Sequence, residues 1–290
     1  MQQGILRHLT GLALLLSLWA GTDSAVAGEP PENFRRENLV AWCIVPFDAR
    51  ERTPRQRAEM LGRLGLKRVA YDWRQQHVSQ FEEEILAYAD PGVELFAFWN
   101  GHDGAFALFE KYGLRPQIWK TVPSPGGKTT EERVRNAVEK LMPLVEKTAA
   151  EGLELGLYNH GAWGGLPHNM VAICEALREA GHEHVGLVYN FHHAHPRIAW
   201  FSADLELMMP YLFCVNLNGM ADPGRNDVSK SDQKIRPIGS GDHEEEMILT
   251  LIERGYEGPV GILGHVKFRD VEEVLRENIE GLERILARAK

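Results

Sequence analysis

The amino-acid sequence predicts an α/β protein that folds as a single (β/α)8 TIM barrel. Eight apolar runs of strand length alternate with eight amphipathic stretches of helix length, and this alternation is typical of parallel strands joined by crossover helices. No linker rich in Pro, Ser or Gly divides the chain, and a barrel of about 250 residues forms one unit. A doubly wound open sheet would alternate in a similar way, so the number of strands is what favours the barrel.

The N-terminal segment predicts export. Residues 1–27 combine a weakly basic start, the apolar run LTGLALLLSLWAG and the small-x-small site Ala25-Val26-Ala27, which is the pattern of a cleaved signal peptide. The apolar run is shorter than the roughly 20 residues that span a bilayer. We therefore expect a periplasmic or secreted protein with a signal peptide at 1–27, a polar leader at 28–37 and the barrel at 38–290.

The predicted strands are short apolar runs rich in Val, Ile, Leu and aromatic residues. They span residues 39–46, 67–72, 93–99, 116–122, 153–159, 184–190, 212–218 and 258–264.

Helix start signals lie between these strands. Thr53-Pro54-Arg55-Gln56 combines a capping box with proline at the first helical position. Two further capping boxes are predicted at Ser79/Glu82 and Thr129/Glu132. Pro143 is predicted to bend the fourth helix rather than to end it.

The net charge indicates which partners are disfavoured, and the cysteine content indicates whether disulfides are expected. The formal net charge of -9 disfavours nucleic acid and anionic membrane surfaces as partners. Cys43, Cys174 and Cys214 lie in apolar strings, and an odd number of cysteines at such positions is not a disulfide framework. We expect all three to be small core residues.

Histidines concentrate where one end of the barrel should lie. A (β/α)8 barrel carries its active site in the loops that follow the strands. Any one histidine there is ordinarily a solvated or hydrogen-bonded loop residue, but the number found here favours a ligand site. The histidines that follow a strand and precede the next helix are His77, His102, His160, His192, His193, His195, His243 and His265.

Aromatic and amide side chains accompany these histidines. Flat aromatic faces stack on the C–H faces of sugar rings, and we expect Trp99 and Trp163 to face such a ligand while Trp42 fills the core. Amides pair with hydroxyl groups as donor and acceptor. A small-molecule carbohydrate is therefore the predicted partner.

Two short motifs resemble a known family. LGLYNHG (155–161) is similar to the pattern L-x-L-E-N-H-G, and VGLVYNFHH (185–193) is similar to V-G-x-x-x-D-x-x-H. Both patterns are typical of the xylose isomerase-like barrels called sugar phosphate isomerases/epimerases. The resemblance covers the whole mature chain and implies a sugar isomerase or epimerase. It also implies a divalent cation, held by carboxylates on strands five, six and eight and a histidine on strand seven.

The sequence departs from this family at the metal. The corresponding positions carry Tyr158, Asn190, Asn216 and Leu263. A hard dication prefers anionic oxygen ligands, so we do not expect the family's usual cation.

The histidines of the two motifs do match the family. They are His160 and His193, and because side chains alternate along a strand, His160 and His265 should point to the same mouth. Three imidazoles there would either transfer protons or hold a softer ion such as Zn²⁺. The cofactor thus stays unknown, with a transition metal bound by histidine as one alternative.

The string VAYDWRQQHV adds charged residues behind strand two. Asp72 would orient an imidazole or act as a base, and Arg74 would hold a carboxylate or an enolate oxygen. The alternative is a structural ion pair between Asp72 and Arg74 at the barrel rim.

The leading hypothesis is an exported carbohydrate enzyme that moves a proton at the carbon next to a sugar carbonyl. A keto-glycoside lyase or hydratase and a non-catalytic sugar-binding barrel are the alternatives. Export, and the lack of an evident phosphate loop, lead us to expect a neutral or keto-bearing sugar. The predicted catalytic residues are His160, His193, His265 and Asp72. The predicted substrate-binding residues are Arg74, Trp99, Trp163, Tyr158, Asn190, His192, His195, Asn216 and Asn218.

Overall fold

The computed structural model describes residues 29–122, 124–224 and 234–289. The predicted signal peptide at 1–27 lies outside the described residues. Within those ranges, no helix combines the length and the apolar character needed to cross a membrane.

A closed barrel of eight parallel strands forms the centre of the fold, in the order β1-β10-β7-β6-β5-β4-β3-β2. The predicted (β/α)8 architecture is therefore confirmed. A separate two-stranded antiparallel sheet pairs β8 (Gly219–Met220) with β9 (Ile235–Arg236). The barrel strands are β1 (Val40–Trp42), β2 (Arg68–Tyr71), β3 (Glu94–Trp99), β4 (Gln117–Thr121), β5 (Leu155–Tyr158), β6 (Val185–Asn190), β7 (Leu212–Leu217) and β10 (Val260–Leu263).

The barrel strands are shorter than the apolar runs that predicted them. β1 shows the largest difference, since the run 39–46 contains a strand of only three residues. Cys43 adopts a positive φ of 56°, a conformation that does not continue a strand. The chain therefore leaves the barrel at Cys43 although its side chains remain apolar.

Eight α-helices occur among the described residues. The capping box at Thr53 and the cap at Thr129 are present, and Pro143 lies inside a helix of 21 residues. The prediction of a capping box at Ser79 was wrong, because residues 75–80 form a 3₁₀ helix and the next α-helix starts at Phe81. The helices are α1 (Pro54–Leu64), α2 (Phe81–Ala89), α3 (Asp103–Tyr112), α4 (Thr130–Ala150), α5 (Pro167–Glu179), α6 (Phe201–Met208), α7 (Glu244–Glu253) and α8 (Val271–Arg288).

Large aromatic rings fill the inside of the barrel. Trp42, Trp119 and Tyr158 belong to one buried cluster with the interior residues of the neighbouring strands. Gly156 leaves room for them, because a Cβ at this position would lie 2.6 Å from Val188 and 3.1 Å from Trp119. Tight packing of this kind makes the barrel interior a solid floor rather than a pore.

The segment before β1 lies at the N-terminal end of the barrel strands. Its buried Phe34 belongs to the core between barrel and helices. The Asn33 amide donates to the carbonyls of Tyr256 and Gly258, at 3.0 and 2.9 Å, just before β10 begins. This segment therefore packs against the N-terminal end of the barrel, beside β10.

A buried ion pair joins α1 to α2. The guanidinium of Arg57 donates twice to the carboxylate of Glu84, with Nε 2.8 Å from Oε1, and the two side chains are only 4% and 2% exposed. Glu84→Gln leaves a buried guanidinium without its counter-charge, so we expect a loss of about 3–5 kcal/mol in the free energy of unfolding. Denaturant-induced unfolding measures this loss.

The matched control is Glu59→Gln, which breaks the exposed pair between Arg55 and Glu59. An exposed pair contributes no more than about 1 kcal/mol. Equal and small losses in the two variants would show that the Arg57–Glu84 pair does not hold α1 against α2.

Candidate active site

A cavity of about 210 Å³ opens at the C-terminal ends of the barrel strands. Its floor is aromatic, one wall carries four imidazoles, and charged side chains complete the rim. An enclosed apolar pocket with a few convergent polar groups is typical of a small-molecule site.

The floor consists of Trp42, Trp99 and Tyr158. The ring centroids of Trp99 and Tyr158 lie 4.9 Å apart and those of Trp42 and Trp99 lie 5.7 Å apart. Trp42 donates from Nε1 to the Tyr158 hydroxyl at 3.1 Å. Trp42, which we expected in the core, therefore both fills the barrel and lines the cavity.

The imidazoles come from three different loops and form one continuous wall. His160 follows β5, His192 and His193 follow β6, and His265 follows β10. The ring centroids of His160 and His193 are 4.3 Å apart, those of His192 and His193 are 3.5 Å apart, and those of His192 and His265 are 6.1 Å apart. The structure thus brings the predicted histidines His160, His193 and His265 to one cavity.

Burial favours the neutral form of three of these imidazoles. It lowers the pKa of His160, His192 and His193 below the usual value, and in His193 the neighbouring His160 adds to the effect. Packing several imidazoles together opposes protonation of any one of them. At neutral pH they therefore carry free lone pairs and can accept protons.

A hydrogen-bond chain orients His192. The Asn190 amide donates from Nδ2 to the Tyr158 hydroxyl, so its Oδ1 faces the Nδ1 of His192 at 2.9 Å. Because that oxygen only accepts, Nδ1 of His192 carries the proton and Nε2 carries the lone pair. Asn190 thus acts below the cavity surface through two residues that line it.

Asp72 is a buried carboxyl group in the cavity wall. It is 1% exposed, its Oδ1 accepts from the Val45 amide at 3.2 Å, and its Oδ2 has no partner in the described structure. Burial raises the pKa of Asp72 to about 7, although nearby Arg74 opposes the shift. At neutral pH this group is therefore both a proton donor and a proton acceptor.

Arg74 does not form the expected alternative, an ion pair with the Asp72 carboxylate. Its Nη1 donates instead to the main-chain carbonyls of Asp72 and Trp73, at 3.0 and 2.8 Å. The guanidinium lies 5.6 Å from the centre of the Phe47 ring, and the other neighbour of that ring is His265, stacked at 3.5 Å.

Three predicted binding residues lie inside the barrel and do not line the cavity. Asn190 and Asn216 are fully buried, and so is Asn218. Asn216 fits because Gly261 faces it, since a Cβ there would lie 1.9 Å from the Asn216 Oδ1. Asn218 donates to the carbonyl of Gly219 at 2.8 Å. Their position on strands was predictable, but the depth to which the barrel buries them was not.

Two further predicted binding residues lie outside the cavity wall. The positive φ of Gly161 and Ala162 turns the chain after β5, so Trp163 packs against the core and beneath Arg133. His195 has ring nitrogens 3.2 Å from the carbonyl of His192 and 2.9 Å from that of Lys234. It therefore positions the main chain of two residues that do line the cavity.

The other histidines of this face have structural partners. His77 accepts from the Arg74 amide at 2.9 Å, His102 caps α3 through the Gly104 amide at 3.0 Å, and His243 lies 3.3 Å from Asp222. Half of the eight predicted mouth histidines thus line the cavity, and the other half hold loops in place.

Sequence reasoning missed several residues of the cavity. Cys43, Phe47 and the cations Lys234 and Lys267 line it. The available signal was the position of Phe47 directly behind the predicted strand 39–46, and of Lys234 between the predicted strands 212–218 and 258–264. Free cysteines at buried positions were expected, and Cys43, Cys174 and Cys214 are all free and buried.

The residues at the family's metal positions do not fit a hard divalent cation. The Tyr158 hydroxyl already accepts hydrogen bonds from Trp42 and Asn190, and Leu263 offers no donor atom. Across the described ranges, no group of three or more His, Cys, Asp or Glu side chains is arranged to hold a metal ion.

Comparisons with known proteins agree with the fold. The sequence profile of the family described as "Xylose isomerase-like TIM barrel" matches residues 61–285. A comparison of the sequence with curated proteins gives no match.

Solved structures resemble the chain over most of its length. The 3-keto-D-glucoside 4-epimerase YcjR from E. coli superimposes with a TM-score of 0.60 at 15% identity, covering 85% of this chain and 99% of that protein. The IolI protein with a bound zinc atom gives 0.65 at 14% identity, covering 87% and 99%. The probable 3-DHS dehydratase AsbF from Bacillus anthracis gives 0.63 at 12% identity, covering 85% and 98%.

The raised pKa of Asp72 makes the stability of the protein depend on pH. The native state binds the Asp72 proton more tightly than the unfolded chain does. The stabilisation that this proton gives the native state is therefore fully present below the ordinary pKa of 3.8, and it is lost as the pH rises through about 7. Asp72→Asn removes the cost of ionisation. We expect the variant to gain about 4 kcal/mol on the wild type between about pH 4 and pH 8, since one pKa unit corresponds to about 1.4 kcal/mol.

Thermal unfolding of both proteins across this pH range measures the gain. The exposed Asp103→Asn serves as the matched control and should leave the pH dependence unchanged. Identical pH dependence in Asp72→Asn and the wild type would contradict the assignment of a buried, protonated carboxyl group.

Proposed function

This chain belongs to the xylose isomerase-like TIM barrel family, and from that premise we propose that it is an exported sugar isomerase or epimerase. It moves a proton at the carbon next to a sugar carbonyl, without the carboxylate-bound cation of the family. The observation that carries the proposal is a pair of neutral imidazoles, His160 and His193, 4.3 Å apart above an aromatic floor.

The imidazoles supply the base. An unprotonated ring nitrogen of His160 or His193 takes the proton from the carbon next to the carbonyl, and the electron pair of the broken C–H bond moves onto the carbonyl oxygen as an enolate. A positioned general base of this kind contributes about 10²–10⁴ to a rate. A ketone in the substrate makes this proton more acidic, which makes the absence of the family's metal ligands tolerable.

Lys234 supplies the counter-charge for the enolate. It lines the same cavity as His160, His192 and His193, and its positive charge adds to the effect of burial in lowering the pKa of these three imidazoles. Positive charge aimed at a developing oxyanion is usually the strongest single contribution to such a step.

Asp72 returns a proton. In its protonated form it donates to the enolate. Protonation of the same carbon on its opposite face restores the carbonyl and inverts that carbon. Protonation of the former carbonyl carbon isomerises the sugar, because the hydroxyl on the deprotonated carbon gives its proton to the enolate oxygen and becomes the new carbonyl. The aromatic floor of Trp42, Trp99 and Tyr158 holds the sugar ring through its C–H face.

Elimination from the same enolate is the second candidate. The protonated Asp72 can deliver its proton to a hydroxyl or alkoxyl group on the next carbon, which then leaves with its electron pair. Elimination and epimerisation would share one enolate intermediate and one set of residues. A structural neighbour with a similar fold is described as a probable dehydratase.

Replacing His160 or His193 should slow proton transfer. With a 3-keto-glucoside in D₂O, NMR detects exchange of the proton next to the ketone before any product forms. We expect His193→Gln and His160→Gln each to slow this exchange by about 10²–10⁴.

The matched control is His182→Gln, which alters a histidine in the turn before β6, at the other end of the barrel. Binding without exchange in the wild type would support a sugar-binding barrel instead. Exchange that a chelator abolishes and Zn²⁺ restores would support a metal held by histidines.

The pH profile should report both proton carriers. The base must be neutral, and burial moves its pKa below the usual 6.5, so kcat/KM falls only in acid; the acid must be protonated, so kcat/KM falls again above about pH 7. We expect a bell-shaped profile with a mildly acidic maximum. The remaining activity of Asp72→Asn should lack the alkaline limb, and an alkaline limb that persists would remove Asp72 from the mechanism.

A further inference from the structure

We propose that the substrate of this site is an acidic sugar, and that Arg74 binds its carboxylate. The inference rests on the proposed function and names its substrate class, which differs from the neutral or keto-bearing sugar that the sequence led us to expect. Uronates are the probe class.

The charge of the cavity opposes the charge of the protein. The chain carries a formal net charge of -9, yet three cationic side chains and one carboxyl group line the cavity. They are Arg74, Lys234, Lys267 and Asp72. A cleft lined by one sign of charge attracts ligands of the other sign. Lys234 balances the enolate that forms during the reaction, which leaves the Arg74 guanidinium for a permanent anion on the substrate.

Arg74 is held in place with one edge free. Its Nη1 is occupied by the carbonyls of Asp72 and Trp73, and its plane is packed near the Phe47 ring. In the described part of the chain, Nε and Nη2 of Arg74 have no hydrogen-bond partner, and no carboxylate lies within ion-pair distance of the guanidinium. The edge formed by Nε and Nη2 is the one that binds a carboxylate through two parallel hydrogen bonds.

The neighbouring carboxyl group does not compete for this edge. The Asp72 Oδ1 accepts from the Val45 amide, and the Arg74 side chain bonds the Asp72 carbonyl rather than its carboxylate. A guanidinium edge binds a carboxylate through two parallel hydrogen bonds, and it can bind a phosphate in the same way. We assign the carboxylate, and the phosphate arm of the test below distinguishes the two anions.

Titration calorimetry at low ionic strength tests the inference without turnover. D-glucuronate, D-galacturonate and D-mannuronate are each compared with the neutral sugar that differs only at carbon six, and D-glucose 6-phosphate supplies the phosphate arm. We expect at least one uronate to bind about tenfold or more tightly than its neutral partner, the effect of one charge-assisted contact. High salt should reduce the preference.

Arg74→Met should abolish this preference, and Arg74→Lys should retain part of it because a point charge remains without the two-pronged edge. The matched control is Arg115→Met, an exposed arginine whose Nη1 also donates to a main-chain carbonyl; it should keep the full preference. Because the wild-type comparison needs no variant, a folding defect in Arg74→Met leaves the inference testable.

Equal binding of every uronate and its neutral partner would overturn the inference, and so would tighter binding of the phosphate than of any uronate. A preference that survives in Arg74→Met would overturn the assignment to Arg74. The proposed function is contradicted by a different result. Uronate binding without proton exchange would contradict the enzymatic function and support the acidic ligand. Proton exchange on neutral sugars alone would support the enzymatic function and contradict the acidic ligand.

Discussion

The rest of the site depends on the hydrogen bonds of the buried Tyr158 hydroxyl. It accepts hydrogen bonds from Trp42 on β1 and from Asn190 on β6, and Asn190 in turn orients His192. One oxygen atom thus links the aromatic floor to the imidazole wall. The same position corresponds to a metal-ligating glutamate in the family that the sequence resembles, so a neutral hydrogen-bond junction occupies the place of a charged ligand.

Burial then decides the chemistry of the groups above this junction. It disfavours the charged form of every titratable side chain, which lowers the pKa of His193 and raises that of Asp72. The two effects have opposite signs because an imidazole is charged when protonated and a carboxyl group when deprotonated. The outcome is a neutral base and a carboxyl group with a pKa of about 7 in one cavity, a combination that can take up and return a proton at neighbouring carbons.

The fold was predictable because it rests on periodicity. Eight apolar runs at regular spacing have few arrangements that bury all of them, and a closed parallel barrel is one of those. Strand ends were less predictable, as β1 shows, because the positive φ of Cys43 is a local backbone event inside an apolar run. The convergence of His160, His193 and His265 followed from the fold alone, since every loop behind a barrel strand reaches the same face.

The sequence by itself determined which residues stand at the mouth of the barrel. These are histidines behind six different strands, with no carboxylates at the positions where the family binds its cation. The tertiary structure decided which of them reach the cavity. Asn216 on β7 and Trp163 behind β5 were expected at the ligand, as Tyr158 and Trp99 were. Asn216 is instead buried where Gly261 makes room, and the backbone at Gly161 and Ala162 turns Trp163 away. Depth along a strand and the direction of a loop depend on packing between distant segments, and no local pattern encodes them.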